Sequence, residues 1–271
     1  MNYYQRFSLY NALALILHIV VSFLIQFRFV NDFTVGEISG KYPTLFTPAA
    51  ITFSIWILIY VSLFVFCAYH LIMAYRNHEK STANKKVVKT WPYFVIINLT
   101  SIAWFFAWTH EWLLISVLLI TIQLIMLIIL HNNLCIHDAT RSMISKVCTQ
   151  FPISIYFAWI TVATVANCAS FLKAIQWNGW GISEINWTIT IIGLVVIITI
   201  WVMNRRLNVF YGLVICWALY GIILRSGESK GDFLPVIYTA YGGIALIAVH
   251  IFVAVIRNMR KPTASGNRVS H

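Results

Sequence analysis

Eight long apolar stretches fill this chain, and none of its eight acidic residues lies inside one of them. A run of roughly 20 mostly apolar residues is enough to cross a bilayer as a helix. These runs are continuously apolar rather than alternating, which selects helices over a β-barrel. The expected spans are 8–30, 47–75, 90–108, 112–131, 151–173, 187–204, 207–225 and 235–257. With 60% hydrophobic and only 10% charged residues, the chain falls in the polytopic membrane class. The expected fold is therefore all-α, a polytopic membrane helical bundle of eight transmembrane helices. A carboxylate at membrane depth usually marks an ion or proton path, so its absence points away from ion-coupled pumping. The spans carry aromatic rings with a few amides and histidines, which suit a flat apolar ligand better.

The charges give an orientation. One set of termini and loops holds Arg6, Arg76, Lys80, Lys85, Lys86, Lys89, Arg141, Lys146, Arg205, Arg206, Arg257, Arg260, Lys261 and Arg268 against Glu79 and Asp138 alone. The other set holds Arg28, Lys41, Lys173, Arg225 and Lys230 against six acids. By the positive-inside rule both termini are expected in the cytoplasm and the protein in the plasma (inner) membrane. The net charge of +11 is then a topology signal, and no nucleic-acid partner is expected. The first apolar run lacks an A-x-A pattern, so no cleavable signal peptide is expected.

Cys67, Cys135, Cys148, Cys168 and Cys216 form no CxxC pair and no disulfide framework, and read as small apolar side chains. Three linkers are long. Asn31 to Phe46 can fold over a cavity mouth, and the basic segment Asn77 to Lys89 favours anionic lipid head groups. Ala174 to Asn186 carries Trp177 and Trp180, with Trp187 just after, most simply an interfacial belt. The polar tail from Pro262 is expected to be disordered. Gly242 and Gly243 read as close helix packing. No tandem or inverted repeat is visible.

Three helical faces could hold a ligand. Phe53, Trp56 and Tyr60 recur at i, i+3 and i+7 behind Pro48, so they share one face. Asn98, Ser101 and Phe105 repeat that spacing, and Tyr156, Trp159, Ala163 and Asn167 form another stripe. An amide unpaired in hydrocarbon costs several kcal/mol, so the two asparagines need either an interhelical partner or a ligand. By spacing alone, packing is the commoner explanation of such stripes.

The segment Pro48-Ala-Ala-Ile-Thr-Phe53-Ser-Ile-Trp56-Ile-Leu-Ile-Tyr60 resembles the start of the second helix in the TspO/translocator protein family, the tryptophan-rich sensory proteins. Tyr156, Trp159, Ala163 and Asn167 match its fifth-helix pattern Tyr-x-x-Trp-x-x-x-Ala-x-x-x-Asn, and Asn98 with Trp104-Phe105-Phe106 is similar to its third-helix motif. The motifs cover residues 1–173, which the resemblance implies to be a five-helix core. Residues 174–257 would be a three-helix C-terminal extension, and 258–271 a cytoplasmic tail. The chain departs from the pattern at three points. Ala49 stands where the family often has a second proline, Ser101 where it has tryptophan, and Ile155 where it has proline. The resemblance implies a porphyrin, haem or sterol-like ligand, with no cofactor required. It implies a lining of Phe53, Trp56, Tyr60, Asn98, Phe105, Trp159, Ala163 and Asn167. Trp56 lies about 12 Å of helix rise below Pro48, so most of the set converges under the 31–46 loop, with Trp159 deeper as the floor or a packing contact.

His18, His70 and His250 sit in or near spans but on different helices, and a hydrogen-bonded packing role outweighs haem ligation. His131 and Cys135 stand at i, i+4 without a second cluster, which is weak support for a metal. No lysine lies inside a span for a retinal Schiff base, Lys173 being only the last residue of its span, and no Ser/His/carboxylate or paired-carboxylate set lies at membrane depth. The leading expectation is a membrane sensor, carrier or transporter that binds a hydrophobic small molecule among membrane lipids. Two alternatives stand beside it. One is a membrane enzyme that modifies a bound porphyrin through redox-capable Trp and Tyr. The other is a scaffold, or homo-oligomer, using spans 6 to 8 to recruit a membrane-protein partner.

Overall fold

The computed structural model describes residues 1–76, 82–134, 136, 142–206, 208–228 and 233–259. Eight helices among them are long and apolar enough to cross a membrane, and their order and number follow the expected spans. They are α1 (Tyr3–Gln26), α3 (Ile55–Arg76), α4 (Thr82–Thr109), α5 (Leu113–Asn133), α7 (Phe151–Ala174), α8 (Glu184–Arg206), α9 (Val209–Glu228) and α10 (Leu234–Met259). Between α1 and α3 lies a short helix α2 (Val35–Lys41) and a 3-10 turn, Ala50–Ser54. A single turn α6 (Met143–Ser145) and a π-turn, Lys146–Gln150, lead into α7. Cys135, His137, Asp138, Lys80 and the tail beyond Met259 lie outside the described residues.

The boundaries shift from the expected ones for local reasons. α1 starts at Tyr3 because Asn2 caps it, its side chain accepting from the Gln5 N–H while the Gln5 side chain accepts from the Asn2 N–H. It ends before Arg28, which adopts a left-handed conformation (φ 60°) and lets the Phe29 N–H reach the Leu24 carbonyl at 2.8 Å. Glu111 does the same for α4 and Gln176 for α7, each at positive φ without being glycine. α4 begins at Thr82, well before the expected 90, because Lys85, Lys86 and Lys89 are good helix formers that extend the helix past its apolar part.

α1 packs on α3 and α4, α4 on α5, and α5 on α7. α7 then packs on α9, and α9 on α10 and α8. Every residue from Pro152 to Val162 is buried, as expected for a helix that is apolar all round. α9 is enclosed almost as fully, whereas α10 turns most of its surface outward. One continuous apolar core runs from Leu15 in α1 to Ile247 in α10, so the last three helices share it with the first five. Gly243 admits this packing, since a Cβ there would stand 2.8 Å from Val196 Cγ2, while Gly242 faces open space. The protein is a multi-pass membrane protein with its apolar side chains on both the inside and the lipid-facing outside of the bundle.

Candidate functional site

Under α2, the ends of α1, α3, α4 and α9 border a cavity of about 520 Å³. Phe53, Trp56 and Tyr60 line it together with Phe105, and Ser22, Phe23 and Gln26 come from α1. The roof is Thr34, Val35, Gly36, Ser39 and Gly40, and the rim is Thr47, Pro48, Ala50 and Arg225. The i, i+3, i+7 spacing works as the sequence implies, even though Phe53 sits in the 3-10 turn and Trp56 in α3. The Trp56 and Tyr60 rings stack 5.3 Å apart, and the Tyr60 hydroxyl donates to Ser22 Oγ at 2.9 Å. This closes a seam between α3 and α1.

The other four candidates stand outside the lining. Trp159 is buried behind it, edge-on to Phe53 at 5.8 Å and to Trp56 at 6.3 Å. Asn98 lies one layer back. Its Oδ1 pairs with His18 Nδ1 at 2.9 Å and its Nδ2 donates to the Phe94 carbonyl at 2.7 Å. Because Nδ2 is the donor to a carbonyl, Oδ1 is an acceptor, and His18 must carry its proton on Nδ1. The His18 ring in turn touches Tyr60 and Phe105 at 5.5 and 5.6 Å, so the pair positions the cavity wall. Asn167 accepts from Ser116 Oγ at 3.0 Å and joins α7 to α5, and Ala163 packs half-buried against the core. The alignment of one α7 stripe does not bring both its ends to one cavity, because α7 is surrounded on all sides.

The roof is clipped down at several points. Ile38 is buried with Trp108 and Leu113. Trp108 Nε1 donates to the Val35 carbonyl at 3.0 Å, and Asn31 Nδ2 donates to the Thr109 carbonyl at 3.1 Å. Glu111, held at the turn between α4 and α5, receives Lys41 Nζ at 2.6 Å and the Tyr42 hydroxyl. Glu37 caps its own helix at Thr34 and pairs with Arg28. The hydrogen bonds from Lys41 and Tyr42 hold the Glu111 carboxyl below its usual 4.5, and the Thr34 N–H lowers Glu37 in the same way. Glu111 in return raises the Lys41 ammonium above 10.5.

The sign follows from these directions. A depressed carboxyl adds stability that is complete above its unfolded value and is lost as pH falls through the folded one. The raised lysine adds stability that is lost only as pH climbs past 10.5. Acidification from pH 4.5 downward is thus expected to loosen α2 first. Hydrogen exchange of residues 34–41 should quicken below that pH in the wild type and already at pH 7 in Glu111→Gln. Equal protection in Glu111→Gln and wild type at pH 7 would dismiss the clip.

The family model for TSPO-like protein matches residues 8–253. The chain belongs to that family. No curated protein matches it, and no solved structure does. The match runs through α8, α9 and most of α10, further than the motifs within 1–173 reach.

In this TSPO-like protein two of the three departures from the motifs make a hydrogen bond of their own. Ala49 keeps a backbone N–H that a second proline would lack, and that N–H donates to the Gly221 carbonyl of α9 at 2.9 Å. Ser101, where a tryptophan would fall, accepts from the Tyr156 hydroxyl and donates to Gln123 Oε1, both at 2.9 Å. Trp104 turns to the roof instead and stacks on Trp108 at 5.6 Å. Pro152 opens α7, where a missing N–H costs least, and Ile155 is simply buried.

A second cavity of about 450 Å³ lies between α7 and α8, lined by Phe46, Cys168, Leu172, Trp177, Trp187 and Ile191 among others. None of the eight candidates borders it. The three tryptophans that read as an interfacial belt cluster there, with ring centroids 5.3 to 5.9 Å apart. His70 meets Thr149 Oγ1 at 3.3 Å, His250 meets the Leu246 carbonyl at 2.9 Å, and neither borders the first cavity. His131 meets Asn208 at 3.0 Å. Sequence reasoning put the 31–46 loop over the mouth without saying which of its residues line the cavity, and it missed Arg225 as a rim residue. The roof helix α2 is only seven residues long and made largely of small and polar side chains, too short for an apolar period to be read, and Arg225 counted only as a boundary charge.

Proposed function

We propose that this TSPO-like protein binds a flat hydrophobic molecule, a tetrapyrrole or a sterol-like compound, and acts as its sensor, carrier or transporter. The observation that supports this most is the roofed cavity whose inner wall is Trp56, Tyr60, Phe53 and Phe105. About 520 Å³ falls in the range of pockets that enclose a small ligand, and aromatic walls with a few hydroxyls fit a ring system carrying polar edges. The orientation expected from the charges puts the roof on the non-cytoplasmic face of the plasma membrane. A ligand would then enter from that side or from the adjoining leaflet.

The test is a titration of the detergent-purified protein with protoporphyrin and with haem, following tryptophan fluorescence and the Soret band. Saturable quenching by both is expected, without a haem-specific Soret shift, since no histidine is among the described residues that line the cavity. No saturable response to either would remove the tetrapyrrole reading. A filled-cavity variant separates binding in this cavity from adsorption elsewhere. Gly36 and Gly40 line the roof, and a Cβ on either meets nothing within 4 Å. Gly36→Leu with Gly40→Leu should therefore weaken binding about tenfold or more while leaving thermal stability undiminished, because leucine is the better helix former. Unchanged affinity in that variant would place the ligand elsewhere.

A further inference from the structure

α7 is enclosed on every side from Pro152 to Val162, but from Ala163 to Ala166 it is only half-buried. The placement of α8 explains the change, since α8 packs on α9 and α10 and hardly on α7. The gap between α7 and α8 is the second cavity, of about 450 Å³. Val165, Cys168, Ala169 and Leu172 wall it from α7, and Trp187, Thr188 and Ile191 from α8. The helices run in opposite directions, so Thr164 and Ile191 mark its deep end and Lys173 and Glu184 its outer end. From Thr164 to Lys173 the helix rises about 13 Å, close to the roughly 15 Å of hydrocarbon in one leaflet. The cavity is therefore a slot along the helices, which is how a lipid tail lies.

The walls call for hydrocarbon. Thr164 and Thr188 donate to the Ile160 and Glu184 carbonyls of their own helices, at 2.7 and 2.8 Å. None of the described lining residues keeps a buried polar atom without a partner. Water needs two or more polar partners to settle in a cavity, and an empty slot forfeits the dispersion contacts of its walls. At the outer end Lys173 Nζ donates to Glu184 Oε2 at 3.0 Å, and Glu184 Oε1 accepts from the Leu45 N–H at 3.1 Å. The paired charges leave the mouth neutral. Trp177 and Trp187 close the same end at interfacial depth, with Trp187 Nε1 fixed on the Gly179 carbonyl at 2.8 Å.

We propose that the slot between α7 and α8 holds one acyl chain of a phospholipid from the leaflet on the roof side. The chain end reaches Thr164 and Ile191, and the head group stays level with the Lys173–Glu184 pair. A phospholipid suits this mouth better than a free fatty acid, because the one lysine there is already matched by a carboxylate. The lipid completes the seam where α7 and α8 lack protein contact. No residue lines both this slot and the cavity under α2, so the site stands whatever that cavity binds.

The experiment uses the full-length protein in phosphatidylcholine nanodiscs doped with a photoreactive phosphatidylcholine. Its diazirine sits either at the tail end or beside the ester, and labelled residues are mapped by mass spectrometry. The tail-end probe is expected to label Thr164, Val165 and Ile191, and the ester-side probe Leu172 and Lys173. Ala169→Phe fills the slot and should cut tail-end labelling at the deep residues about tenfold, while lipid-facing Val249 and Phe252 of α10 label as before. Deep labelling that is unchanged in Ala169→Phe overturns the proposal. So does a wild-type pattern that ignores where the diazirine sits, a result that needs no variant to fold. Deep labelling by a diazirine fatty acid but not by the phospholipid overturns the phospholipid source.

Discussion

Replacing Gly221 by alanine is expected to destabilise the protein by about 3 kcal/mol and to abolish measurable ligand binding, the upper end of what overpacking does. A Cβ at this position would stand 2.0 Å from Thr52 Oγ1, 2.9 Å from Pro48 Cβ and 3.0 Å from Thr52 Cβ. The hydroxyl can rotate away, but the other two atoms belong to a ring and to the stem of a β-branched side chain. The helix and the 3-10 turn must separate instead, which stretches the bond from Ala49 and shifts Phe53. Gly212→Ala is the control. There the one severe approach is to Met203 Sδ at 2.6 Å, the adaptable end of a flexible chain, with Ile247 Cγ2 at 3.2 Å and Met203 Cε at 3.3 Å needing only small shifts, so a cost below about 1.5 kcal/mol is expected. Thermal unfolding in one detergent, with porphyrin titration of each variant, decides the matter. Equal melting temperatures for the two alanine variants would show that α9 does not clasp the turn.

The second large effect is on affinity. Trp56→Ala removes the ring that stacks on Tyr60, meets Trp159 and Tyr156 edge-on, and lines the cavity. Ring stacking and area loss together should weaken porphyrin binding at least tenfold, which corresponds to about 1.4 kcal/mol or more. Asn167→Ala is expected to behave differently, although the sequence pattern groups Asn167 with Trp56. Its amide ties α7 to Ser116 of α5, outside the lining, so stability should drop by about 1 kcal/mol while affinity holds. If Asn167→Ala loses affinity as Trp56→Ala does, the ligand reaches the α5–α7 seam and the cavity is mislocated.

These two residues show how far a sequence carries the candidate site. Phe53, Trp56 and Tyr60 were legible as one face because a helix places i, i+3 and i+7 on the same side, and that face meets the cavity. The same rule put Trp159 and Asn167 on one stripe, two turns apart, and it could not say that the stripe runs from one neighbour to another. Trp159 meets Trp56 of α3, and Asn167 meets α5. Asn98 was legible as a buried amide needing partners, and its partners are His18 and a backbone carbonyl. Whether such an amide faces a ligand or a neighbour depends on helix rotation within the bundle, which spacing leaves free. The 31–46 loop was legible as a cover for the mouth, but its anchor at Glu111 and the rim at Arg225 were not, because they lie on segments far away in the chain.

What the sequence by itself determined is the set of helices and the class of protein. Long apolar runs must satisfy their backbone hydrogen bonds internally in lipid, and only helices of that length do so one segment at a time. The family was also written locally, in motifs that each fit within a single helix. What only the tertiary structure decided is which faces meet. In a membrane bundle nearly every surface is apolar, so hydrophobicity cannot tell an inward face from a lipid-facing one. The choice falls to close packing and a few interhelical hydrogen bonds, such as Ala49 to Gly221 and Trp217 to Thr52, that exist only once the helices are side by side.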